Sequence, residues 1–173
     1  MATAVALAFA TLPAVANANP IDSTPTEPQA QCLFPDGSTK QVIVTQTNGD
    51  AYIPGSYRVY GTGPAQLQAQ VGQVTTMTAT FSSSVTAEAG IIIANASTQF
   101  GVSLARSSSA TLMSTYTISI PAGQTMYIEA GGHGIATLVR VETFDSWCNI
   151  ITRNGTAAIP RSSNWVWYRH FYV

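Results

Sequence analysis

Two histidines, eight carboxylates and two cysteines are the residues of this chain best suited to chemistry. His133 stands in "AGGHGIA" and His170 in "WYRHFYV". An imidazole can relay a proton near neutral pH or bind a metal, but only with a nucleophile or further ligands at matching spacing. Neither histidine has such a companion. "GGHG" lacks the spacing of a phosphate loop, and no helical pattern follows it. The carboxylates are scattered singly, so nothing in their spacing marks a glycosidase pair. Serines are abundant, but none sits in a nucleophile elbow. These residues predict a non-enzymatic protein with no catalytic residues, no bound metal and no cofactor.

The cysteines, Cys32 and Cys148, lie far apart. An even pair in an exported chain predicts one disulfide. Closing so long a loop would stabilise the fold by about 4–5 kcal/mol in the chain-entropy account. Without nearby histidines the two thiols make a poor metal site. The closing "WVWYRHF" alternates, which would place Trp165, Trp167 and Phe171 on one face. Tyr168, His170 and Tyr172 would share the other. Such a face either packs a closing strand or forms an aromatic surface for sugar stacking or a membrane interface. Core packing is the plainer expectation. Asn95-Ala96-Ser97 and Asn154-Gly155-Thr156 match the glycosylation acceptor pattern at two expected turns.

Composition narrows the partners. Only 9% of the 173 residues are charged and the net charge is −1. Nothing therefore favours nucleic acid or an anionic membrane electrostatically. Other secreted proteins or further copies of the chain are the expected partners, with a membrane surface or a glycan as further candidates. Residues 1–18, "MATAVALAFATLPAVANA", are apolar and end in Ala-x-Ala patterns, as in a secretory signal peptide, although no Lys or Arg precedes the run. The expected location is extracellular. Residues 19–31, "NPIDSTPTEPQAQ", read as a flexible extended leader. Its Pro20, Ile21, Pro25 and Pro28 could dock on a partner by adding a strand to its sheet. Residues 32–173 then form a single β domain.

The elements that must position these residues read as strands throughout. Pro35-Asp36-Gly37-Ser38, Asn48-Gly49-Asp50, Pro121-Ala122-Gly123-Gln124 and Asn154-Gly155 read as turns, and "GGHG" as a strand break. Between Val74 and Ile120 the chain alternates with period two, and the apolar parity flips at "ANASTQ". That pattern predicts a long Ser/Thr-rich hairpin with its tip in residues 94–99. The register that matches both faces sets Ile91 opposite Val102, Phe81 opposite Leu112 and Met77 opposite Tyr116. The apolar face of the hairpin, facing a core or a membrane, would carry Phe81, Val85, Ile91, Ile93, Phe100, Val102, Leu104 and Leu112. The fold class is all-β, an antiparallel sandwich or elongated sheet with one disulfide.

The succession of alternating arm, tip and alternating arm over residues 74–120, followed by "TISIPAGQTMYIEA", resembles the aerolysin-like (epsilon-toxin-type) β-pore-forming proteins. The resemblance implies that the hairpin is the inserting element and that the chain assembles into a ring. Arg106 would then lie opposite Ala87 on the apolar face, which on lipid costs about 2–4 kcal/mol at mid-bilayer and favours a core. More loosely, the chain looks like small secreted adaptor subunits of bacterial extracellular toxin particles. The expected function is that of a component of an extracellular toxin system acting through protein or membrane-surface contacts. The alternatives are an adaptor that links partners through its leader, and a carbohydrate- or surface-binding module.

Overall fold

The computed structural model describes residues 32–173. The expectations for the signal peptide and for the leader with Pro20, Ile21, Pro25 and Pro28 fall outside them. Two long antiparallel strands form the spine. These are β1 (Lys40–Thr62), the first strand along the chain, and a long Thr125–Phe144 strand that pairs with it from Lys40↔Thr143 to Thr62↔Thr125. In chain order the others are β2 (Ala65–Ala69), β3 (Val74–Thr78), β4 (Thr80–Phe81), β5 (Ser107–Thr111) and β6 (Tyr116–Ile120). The long strand is β7, followed by β8 (Ile150–Pro160) and β9 (Trp167–Tyr172). The main sheet runs β4-β8-β7-β1-β3-β5, and β9 shares with β8 the second edge of β7. β8 covers residues 134–144 of that edge and β9 covers 126–131. β2 and β6 form a separate two-stranded sheet. The all-β, antiparallel expectation is borne out, as is the Cys32–Cys148 disulfide, whose Cα atoms lie 5.4 Å apart.

Burial along β7 shows how the layers are arranged. Met126, Ile128 and Ala130 are buried at even positions, whereas Ile135, Thr137, Val139 and Val141 are buried at odd ones. Successive side chains of a strand point to opposite faces. The two cores therefore lie on opposite faces of one strand. The first packs under the small sheet with Leu67, Ala69, Leu112 and Ile120. The second packs under a helical segment with Val85, Ile92, Ala96, Leu104 and Ile159.

That helical segment corrects the expected hairpin. A 3₁₀ turn spans Ser83–Glu88 and α1 spans Ala89–Phe100. β3 and β5 do pair, but with Val74 opposite Thr111 and Met77 opposite Ser108. The residues between them do not extend the ladder. "AGIIIANASTQF" carries two periods at once: Ile91 and Ile93 alternate, but Ala89, Ile92 and Ala96 recur at helical spacing and are the residues buried. Gly101, at φ 62°, supplies the left-handed cap that ends the helix. The proposed apolar face is accordingly divided. Val85 and Leu104 are buried in the helix-side core, and Phe81, Ile93, Phe100 and Val102 pack partly buried against it. Leu112 is buried in the other core, and Ile91 is exposed.

Three expected turns or breaks lie inside strands. Asn48-Gly49-Asp50 is an irregularity within β1, where the register with β7 shifts on both sides of Asn48. Asn154-Gly155 lies within β8. A Cβ on Gly155 would sit 2.8 Å from the Val85 side chain, so its glycine admits the 3₁₀ turn. "GGHG" lies within β7 because Gly131 receives the Tyr52 ring and Gly132 the Asn164 carboxamide. Pro35–Ser38 and Pro121–Gln124 are turns as expected, with Gly37 at φ 80° and Gly123 at φ 75°.

Candidate functional site

Between the end of β8 and the start of β9, the edge of β7 at Gly132 and His133 has no strand beside it. Residues 161–166 take that place. The His133 N–H donates to Asn164 Oδ1 at 2.7 Å, and the Arg161 N–H donates to the His133 carbonyl at 3.0 Å. The Asn164 amide nitrogen in turn donates to the Arg161 carbonyl at 2.7 Å and to Ser108 Oγ at 3.3 Å. One asparagine side chain thus substitutes for a strand in the ladder.

On the other edge, the β1 irregularity carries Asp50 to the same place. Its turn is held by the Asp50 N–H donating to Asn48 Oδ1 at 3.0 Å. The Asp50 carboxylate meets His133 Nδ1 at 2.5 Å. The His133 ring also rests on Trp167, with centroids 3.8 Å apart. Arg161 reaches across to donate from Nη2 to the Gly49 carbonyl at 3.2 Å. Asp50, His133, Arg161, Ser163, Asn164 and Trp165 enclose a hollow of about 400 Å³, near the small end of ligand sites. Trp165 is 82% exposed and Asp50 keeps 58% of its side chain in water. Other hollows of similar size are lined mostly by small, hydroxylated or aliphatic side chains.

Below the hollow, the outward face of β1, β7 and β9 is laid out in rows by the strand register. Tyr52 stacks on Trp167, and the Arg169 guanidinium lies 4.1 Å from the Tyr52 ring centre. The next row is ionic. Arg58 Nε donates to Glu129 Oε2 at 2.6 Å, and the Tyr52 hydroxyl donates to Glu129 Oε1 at 3.0 Å. Burial first, and the Glu129 charge second, push the Tyr52 phenol above its ordinary range. The last row is Tyr60, Tyr127 and Phe171, with successive centroids 5.2 and 5.1 Å apart. The buried Glu129 carboxylate thus holds Tyr52 directly, and Arg58, which it also holds, links to the row below with its guanidinium 5.6 Å from the Tyr127 ring centre.

The β9 alternation places the predicted residues plainly. Trp167 and Phe171 face outward with Arg169, while Trp165 precedes the strand and borders the hollow. Tyr168 and His170 turn to the small sheet, where Tyr116 stacks on Tyr168 and its hydroxyl meets His170 Nδ1 at 2.9 Å. Sequence reasoning overlooked Asp50, Arg161 and Asn164. Their only signal is polar residues on both sides of an apolar strand, "TNGD" and "RSSN". Of the two acceptor patterns, Asn95 uses its amide to donate to the Val42 carbonyl at 2.8 Å, whereas Asn154 is exposed in β8. Among the described residues no three His, Cys, Asp or Glu side chains converge. The arrangement offers hydrogen bonding and ring stacking to a bound molecule. The chain matches no protein-family model and no curated protein sequence.

Proposed function

We propose that this is a secreted binding protein without catalytic activity, and that the hollow between β8 and β9 takes a saccharide unit of an extracellular glycan. The observation that carries the reading is Trp165. A large exposed indole stands beside Asp50, Ser163 and Arg161, polar groups with hydrogen-bonding capacity left over. A sugar presents an apolar ring face and a rim of hydroxyls, and this pairing of indole with polar groups complements both. The fixed row of Tyr60, Tyr127 and Phe171 extends an aromatic platform for neighbouring units. A role in an extracellular toxin system fits the same contact-based action. In its adaptor form it draws on residues 19–31.

Calorimetric titration with a panel of oligosaccharides tests the reading. Trp165→Ala should weaken binding at least tenfold and leave the melting temperature unchanged, because the ring contributes little to packing. A wild-type protein that binds no saccharide in the panel would overturn the proposal.

A further inference from the structure

We infer that the ligand of this hollow carries a carboxylate, and that Arg161 is the cation that receives it; the inference rests on the saccharide reading above. The charges of the molecule single out this residue. Arg58, Arg140 and Arg153 are paired with Glu129, Glu142 and Glu88. Arg106 and Arg169 are exposed, and Arg169 lies over Tyr52. Arg161 alone among the six arginines is half-buried with no carboxylate of the described residues in reach. Its Nη2 donates to a carbonyl, its Nε is buried without a partner, and its Nη1 has no acceptor among the described residues. Among the described residues the one carboxylate that borders the hollow, Asp50, is engaged by His133.

A guanidinium taken partly out of water without a counter-charge is unfavourable unless something supplies that charge. Its planar fork is suited to a carboxylate or phosphate. The rest of the hollow decides between them. Asp50 on the same rim disfavours a doubly charged phosphate. Its second oxygen can instead accept a hydroxyl from a ligand that bears a single negative charge. Trp165 offers a flat apolar surface, and the hollow has the volume of a small ligand. A sugar acid satisfies all of these conditions with one molecule. The backbone holds Arg161 in place: its N–H bonds the His133 carbonyl, and it forms a bridge with Leu104.

The test uses galacturonate, glucuronate and sialate oligosaccharides, each titrated beside its own methyl ester. Esterification removes the charge and keeps the hydroxyls and ring. At least one acid should bind the wild-type protein tenfold or more tighter than its ester, and added salt should narrow the gap. In Arg161→Gln the two forms should bind alike, and Arg161→Lys should restore part of the preference. Free monosaccharide acids in a parallel titration show whether one unit suffices or a chain is needed. If acids and esters bind the wild type equally, the inference fails and the saccharide reading stands. If neither binds, both fail. Should Arg161→Gln not fold, the acid–ester comparison on the wild type still decides the question.

Discussion

Glu88 has only hydroxyl-bearing and small apolar neighbours in the sequence, yet its side chain keeps just 2% of its exposure. It ends the 3₁₀ turn, and there it accepts hydrogen bonds from Lys40, the only lysine of the chain, at 3.1 Å and from Arg153 at 2.9 Å. Burial alone raises a carboxyl pKa, but here the two cations outweigh it and hold Glu88 below its ordinary range. The group favours the charged form more in the folded state than in the unfolded one. Its stabilisation is therefore complete above the ordinary carboxylate pKa of about 4.3, and is lost as pH falls through the lower folded value. Glu88→Gln should cost about 1–3 kcal/mol at pH 7 and flatten the loss of stability below about pH 4.3. Thermal melts of both proteins from pH 2 to 7 check this. Asp36 and Asp145, also lowered by hydrogen bonds from Ser38 and Asn149, leave the variant some residual slope. A variant whose curve runs parallel to that of the wild type would refute the role given to Glu88.

Local residue types can mark an element without revealing what the chain does there. The glycine-bearing stretches at 48–50, 131–134 and 154–155 carry turn chemistry in the sequence, yet each lies inside a strand. The reason is close approach of another group, which only the assembled fold supplies. The candidate site was hidden in the same way. Trp165 and Trp167 stand out in the sequence as an aromatic alternation, for which core packing is the plainer expectation and a binding surface the alternative. Asp50 and Arg161, however, are 111 positions apart and meet only because β1 and β8 flank the same stretch of β7. The helix was missed because Ala89, Ile92 and Ala96 compete with the alternation of their neighbours, and contact with β7 decides between the two periods. Two glycine substitutions separate these effects. A Cβ on Gly132 would lie 2.9 Å from Asn164 Oδ1, whereas one on Gly90, in α1, meets nothing within 4 Å. Gly132→Ala should destabilise by about 1–3 kcal/mol and weaken ligand binding through Asn164. Gly90→Ala should stabilise by about 0.5–1 kcal/mol and leave binding alone. Urea denaturation with parallel titrations measures both, and equal effects of the two substitutions would contradict the packing argument.

At the scale of the molecule, the strand class, the antiparallel pairing and the disulfide were readable because alternation, turn residues and cysteine count act locally or by elimination. The arrangement of two cores on opposite faces of β7 was not, since it depends on which half of one strand each layer covers. That arrangement bears on membrane action. For residues 74–120 to insert as a hairpin, α1 would have to unwind. Val85, Ile92 and Leu104 would also have to leave the core they form with Val139 and Ile159. Each such side chain gives up about 1.5–3 kcal/mol of burial, and on the other side of the sheet Leu112 would leave its own core. Among the described residues no helix is long and apolar enough to cross a bilayer. Purified protein should therefore release no dye from lipid vesicles and form no detergent-resistant oligomer at neutral pH. Leakage that grows with protein concentration would mean that the helix-side core opens readily, and a cysteine pair introduced to tie α1 to β1 should then abolish it.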